Sequence, residues 1–197
     1  MVIQKSLQRS IRCRYILLIT MNEAKTIESK QLYKGKVVQL RLDTVLLPDG
    51  RTKTREILVH PGAAAIVSLT DGKILLVEQY RKAVERNTLE IPAGTLEEGE
   101  SHVECAMREL IEETGFQASK LNELTEYVPA PGYSSEIIHI YKANELTKVS
   151  DAELPVTFVE LSEVLALIRK GEIKDGKTAV GVLMVAKDTV EQTKINY

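Results

Sequence analysis

Glu104, Glu109, Glu112 and Glu113 lie close together in a stretch that otherwise reads as one helix. Ser101 followed by Glu104 has the form of a capping box. Gly115 supplies the left-handed position that ends a helix, so the spacing predicts a helix from His102 to Thr114. At about 100° per residue, Glu109, Glu112 and Glu113 share an arc of roughly 100° on one side. Like charges at i, i+4 cost a few tenths of a kcal/mol, and the macrodipole disfavours negative charge near a helix C-terminus. Two small penalties at one place point to a compensating cation. Hard carboxylate oxygens suit Mg²⁺, or Mn²⁺ as a substitute, and not a soft metal. Magnesium takes one or two carboxylates and completes its shell with water and phosphate oxygens, an arrangement suited to cleaving a phosphoanhydride. A solvated acidic face is the alternative: Glu104 with Arg108, and Arg108 with Glu112, are i, i+4 pairs. That alternative accounts for Glu112 but leaves Glu109 and Glu113 facing each other.

The elements that must position this helix alternate between strand and turn. Ile27–Leu32, Lys36–Leu42 and Thr52–Val59 read as strands, with Pro48-Asp49-Gly50 as the turn before the last. Pro61-Gly62 breaks this part from the next. Ala63–Leu69, the Asp71-Gly72 turn and Lys73–Gln79 form a hairpin apolar enough to be central. Val103, Ala106, Met107 and Leu110 form the expected apolar stripe of the glutamate helix. Leu121–Val128, Ile137–Tyr141 and Val156–Leu161 are further strands. Ser162 is the expected cap of a helix ending at Gly171. Thr178–Val190 reads as a last helix with Ala179, Val182, Leu183 and Ala186 on one face. The chain is therefore mixed α and β, without repeats or long linkers.

The 197 residues, 44% apolar and 27% charged, suit one soluble domain with a small extension. A net charge of -2 gives no field for nucleic acid or an acidic membrane. Cys13 and Cys105 form no CxxC pair, so neither a zinc site nor a redox motif is expected, and a reducing cytoplasm is the default compartment. His60, His102 and His139 read as structural or surface residues. Lys5, Arg9, Arg12 and Arg14 precede the apolar run Tyr15–Ile19, which is too short for a secretory core or a bilayer span. Residues 1–25 are thus expected to be a disordered leader, with Met21 an alternative start; a targeting role and an ordered element are the other readings. Residues 26–60 form a strand extension and residues 61–197 the main domain.

Gly171-Glu-Ile-Lys-Asp-Gly176-Lys177-Thr178 matches the P-loop expression letter for letter. That mechanism needs a strand before and a helix after, so that amides cradle phosphate. Here a helix precedes it and no later strand can supply a second acid. The segment reads as a connector and the cap of the last helix.

Gly94, five residues, Glu100, seven residues, then Arg108-Glu109-Leu110-Ile111-Glu112-Glu113-Thr114-Gly115-Phe116 resembles the Nudix box at each of its defined positions. The resemblance implies an α/β/α sandwich around a mixed sheet, with an N-terminal antiparallel strand extension. It also implies that Glu109 and Glu113 are metal ligands with Glu112 close by, joined by the backbone carbonyl of Ala93. Arg108 would orient a glutamate, Glu100 would hold the loop, and Gly94 would let backbone come close to the site.

The flanks resemble the ADP-ribose pyrophosphatase branch of that family. They are Glu78-Gln79-Tyr80-Arg81, Leu89-Glu90-Ile91-Pro92-Ala93-Gly94, Pro131-Gly132-Tyr133-Ser134-Ser135-Glu136, and Arg55-Glu56 before His60-Pro61-Gly62-Ala63. By that likeness Arg81 contacts the pyrophosphate or ribose, and Glu90 and Glu136 accept bonds from ribose hydroxyls or water. Arg55 belongs to the substrate site of a partner subunit, in a homodimer paired through residues 27–60. Arg81 and Arg55 as surface ion pairs, and Glu136 as a turn residue, are the alternatives. The branch's acidic loop is thinner here, Ser150-Asp151-Ala152-Glu153; Glu153 is the candidate base or extra ligand, with Asp151 next. The implied reaction is hydrolysis of ADP-ribose to AMP and ribose 5-phosphate. A nucleotide sugar or NADH is the alternative substrate, and a non-catalytic nucleotide sensor the alternative class. The intact set of box glutamates favours the enzyme.

Overall fold

The computed structural model describes residues 24–195, with side chains to residue 188. The chain divides between His60 and Pro61 into two units. In the first, β1 (Lys25–Lys34), β2 (Gln39–Leu46) and β3 (Thr52–Val59) form an antiparallel sheet in that order. Asp43 on β2 is buried, and it is satisfied by Ser29 Oγ at 2.6 Å and Arg41 Nε at 3.1 Å. Every residue of β1 is exposed.

The second unit is built on β4 (Ala63–Thr70) and β5 (Lys73–Arg81). Their near-continuous apolar runs are those of strands covered on both faces. The two strands pair only beside their turn, at Leu69 with Ile74 and Thr70 with Lys73, and then part. The gap takes two short strands. β6 (Arg86–Glu90) pairs with β5, and β7 (Ala93–Thr95) pairs with β4. Between them Pro92 O accepts from Ile66 N–H at 2.8 Å. The remaining order is β10 (Val156–Glu160), β5, β4, β9 (Ile138–Lys148) and β8 (Phe116–Tyr127). Only the β4–β9 contact on this path is parallel.

Helices cover both faces, giving the expected α/β/α sandwich around a mixed sheet. Helix α1 (His102–Thr114) lies on one side, where Cys105, Ala106 and Leu110 pack on Ala64, Ile66, Leu75 and Tyr141. Helices α2 (Leu161–Lys170) and α3 (Gly176–Ile195) lie on the other, where Val164, Val182 and Val185 pack on Ala65, Val67, Ile74 and Ile140. Alternate residues of β4 feed the two cores, as a period of two requires.

The capping box of α1 is present, and Gly115 closes it with φ 70°. Other expectations need correction. Ser162 lies inside the first turn of α2, whose N-cap is Glu160 without a side-chain bond. The Leu161 N–H is satisfied instead by the Gly72 carbonyl at 2.9 Å, so the strand runs into the helix without a capping side chain. Val103 is exposed, and Cys105 takes its place in the buried stripe of α1. Leu183 is exposed because α3 turns Thr178, Val182 and Val185 inward. Strands β8 and β9 run longer than their apolar cores, and Lys25 already belongs to β1. The leader expected for the first residues otherwise lies outside the described part, as does Cys13.

Candidate active site

Helix α1 presents Glu109 and Glu113 to β7, at Gly94 and Ala93. At Gly94 a side chain would collide with the carboxylate of Glu109, so the position has room only for hydrogen while Glu109 keeps its place. Cys105 Sγ donates to the Gly94 carbonyl at 3.5 Å, tying the strand to the helix. Arg108 is the hub of the acidic side chains. Its fork holds Glu100 through Nε at 2.8 Å and Nη2 at 3.0 Å, and Nη1 reaches Glu109 at 2.7 Å and Glu112 at 3.0 Å. Arg108 therefore pairs with Glu112 as its spacing predicts, whereas Glu104 is spent on the capping box with Ser101. The Arg108 bond holds the Glu100 carboxyl down at about 2.

Glu113 is different. It is 8% exposed, and its Oε2 accepts one backbone bond, from Ala93 N–H at 2.9 Å. Burial pushes its carboxyl up to about 7, the Ala93 bond opposing only in part. Burial also raises Glu109, against the pull of Arg108. One buried and one half-buried carboxyl whose ionisation the protein does not fully compensate, with hard oxygens, fit a divalent cation of the magnesium type. Glu109, Glu113 and the Ala93 backbone are the groups that could hold one, with Glu112, exposed at the helix surface, beside them. These glutamates are spread around Arg108 and Ala93. Among the described residues, the acid and histidine group with ligand atoms within 4.8 Å of one another is Glu123, Glu126 and His139, on β8 and β9. There His139 Nδ1 lies 2.7 Å from Glu123 and its ring stacks on His102.

Beside Ala93 and Gly94 opens a cavity of about 520 Å³, within the range of small-molecule sites. Arg81, Glu90 and Glu136 all line it. Arg81 sends Nε and Nη2 to the two oxygens of Glu90 at 2.8 and 2.6 Å, a bidentate pair. Thr88 Oγ1 adds a bond to Glu90 at 2.5 Å, and Lys177 Nζ bonds its Oε2. Burial alone would raise the Glu90 carboxyl; Arg81, Lys177 and Thr88 outweigh it and hold it at about 2. Glu90 is thus saturated and 3% exposed, and its pair with Arg81 uses Nε and Nη2 but not Nη1.

The other candidates are placed as follows. Glu153 lies over the C-terminal end of α1, its N–H bonded to the Glu112 carbonyl at 3.0 Å and its side chain exposed, as is that of Asp151. Neither lines the cavity. Arg55, in the first unit, is exposed on β3 and bonds the Thr54 carbonyl. Lys177, in the segment read as a connector, also lines the cavity, a placement that the sequence reading did not assign it. Its signal was the Gly-Lys-Thr triplet, but its partner Glu90 is 87 residues away.

The NUDIX domain family matches residues 58–179, and the Nucleoside diphosphate sugar hydrolase N-terminal domain matches residues 25–58. The ADP-ribose pyrophosphatase of Bacillus subtilis (strain 168) is 43% identical over 168 residues, 81% of this chain and 91% of that protein. A methanol dehydrogenase activator of Bacillus methanolicus is 44% identical over 168 residues, with the same coverage of 81% and 91%. A solved structure of an ADP compounds hydrolase superposes with a TM-score of 0.78 at 23% identity, covering 88% of this chain and 97% of its own, and so shares the fold. The domain match spans the split sheet, the Gly94 loop and the glutamate helix, and the chain belongs to the Nudix hydrolase family.

Proposed function

We propose that this enzyme hydrolyses ADP-ribose to AMP and ribose 5-phosphate. The observation that carries the reading is the meeting of the Glu109–Glu113 helix and the Ala93–Gly94 strand at the edge of a cavity that Arg81 and Glu136 also line. The Bacillus subtilis relative supports the choice of substrate. Glu109, Glu112 and Glu113, with the Ala93 carbonyl, hold Mg²⁺, for which Mn²⁺ can substitute. The cation, when bound, neutralises diphosphate oxygens and acidifies water.

Arg81 Nη1 points the diphosphate or ribose into the cavity while Glu90 fixes the guanidinium plane. Glu136 accepts a bond from a ribose hydroxyl. Arg108 holds Glu109 and Glu112 in place. The oxygen of water bonds to one phosphorus, the bridging oxygen leaves with the other, and Glu153, or Asp151 beside it, takes the proton. The chain works as a cytoplasmic homodimer joined through its N-terminal strands, with Arg55 of the partner subunit at the substrate. The exposed β1, with Ile27, Leu32 and Tyr33 each about half exposed, supports a partner there.

The test is Glu113→Gln in magnesium. ADP-ribose should bind the variant in isothermal titration, with AMP release at least a hundredfold below the wild type. Equal turnover by the variant would sink the reading. A nucleoside diphosphate sugar is the second candidate, favoured by the match of residues 25–58; product analysis on both substrates separates the two.

A further inference from the structure

The Gly171–Thr178 segment, which has the letters of a phosphate loop, is spent on something else. Asp175 caps α3, its Oδ2 accepting from Thr178 N–H at 2.9 Å and from Thr178 Oγ1 at 2.5 Å. Thr178 Oγ1 in turn accepts from the Ile91 N–H at 2.9 Å. Lys177, 8% exposed, puts Nζ 3.0 Å from Asp175 Oδ1 and on Glu90 Oε2. Glu90 holds Arg81. A ring of bonds thus runs from Ile91 through Thr178, Asp175 and Lys177 back to Glu90, the residue next to where it began. Gly176 completes it by leaving room for the Tyr127 hydroxyl, which lines the same cavity.

We infer that Lys177 is a positioning residue for substrate binding: it acts through Glu90 to hold Arg81 in its bidentate orientation at the cavity wall. The inference rests on the proposed hydrolase activity and adds a residue to it. Glu90 carries one negative charge and receives two cations, Arg81 and Lys177. Without Lys177, one oxygen of a buried carboxylate loses its second donor, and Arg81 must turn to cover it. The effect falls on the substrate's diphosphate or ribose contact. Glu109 and Glu113, which Lys177 does not bond, keep their places.

Lys177→Met removes the charge at similar length. Its KM for ADP-ribose should rise at least tenfold, the size of losing one charge-assisted hydrogen bond. Its kcat should stay within about threefold of the wild type. Lys177→Arg should recover most of the affinity. In an Arg81→Lys background the Lys177→Met effect should largely vanish, because the two act as one unit. A purely structural lysine would lower Tm and leave the KM-to-kcat split and this coupling untouched. Should Lys177→Met fail to fold, Lys177→Gln, which keeps a donor but not the charge, carries the same expected split. An unchanged KM in a folded variant, or full additivity with Arg81→Lys, overturns the inference while the hydrolase reading stands. A wild-type protein that cleaves no nucleoside diphosphate overturns both.

Discussion

Gly94→Ala adds one methyl group at the closest point between the β7 loop and α1. The three atoms nearest to it all belong to the Glu109 carboxylate, the far end of a flexible side chain. The fold can therefore accept the methyl by swinging that side chain aside. Two costs follow. An off-rotamer side chain costs about 1 kcal/mol, and the Glu109 bond to Arg108, now 2.7 Å, is lost at about 1 kcal/mol more. For a chain of this size each kcal/mol shifts Tm by roughly 2–4 °C, so Tm should fall by about 4–8 °C. Activity should fall much further. If Glu109 must lie where it does to hold magnesium, a hundredfold loss of kcat/KM is expected, equivalent to about 2.7 kcal/mol of transition-state stabilisation. Calorimetry and AMP release measure the two quantities on one preparation. A folded Gly94→Ala enzyme within threefold of wild-type activity would refute the assignment of Glu109, and a large loss of Tm would refute the claim that only a side chain moves.

Arg108→Lys keeps the charge but not the fork. It should lower Tm by a few degrees through the lost second bond to Glu100, and lower kcat at least tenfold with KM for ADP-ribose little changed; steady-state kinetics beside a melting curve decides. Glu90 supplies the acid limb of stability. Its folded pKa of about 2 lies below the ordinary 4.5, so its contribution is whole above pH ~4.5 and fades as pH falls towards 2. The shift corresponds to about 3 kcal/mol at most. Urea unfolding of wild type and Glu90→Gln between pH 7 and 3 should show the wild type losing the larger share; parallel losses would remove Glu90 from the account.

Much of the glutamate helix is legible in the chain because its signals are local. Ser101 and Glu104 cap each other over one turn, Gly115 ends the same helix, and Glu109 to Glu113 span barely more than a turn. Strands β4 and β5 are equally plain, since both faces are covered and the residues run apolar. What escapes is what depends on distant partners. Strands β6 and β7 are too short to show alternation and exist because β4 and β5 part to admit them. Lys177 has no local mark of its burial, because a lysine paired with a glutamate 87 positions back looks like any other until the chain is folded. Leu183 was expected to face inward because periodicity alone does not say which side of a short apolar arc the sheet will occupy.

The parted sheet also sets where this chain tolerates a change of length. From Glu90 to Ala93 successive residues are clamped to different neighbours: to Arg81 and Lys177, to Thr178, to Ile66, to Glu113. One residue inserted there would turn alternate side chains over, lifting Glu90 out of its pocket and taking Ala93 away from the helix in a single step. At Gly99, only a few positions later, a side chain would meet nothing within 4 Å, and residues added at that turn would bulge outward without disturbing either clamp.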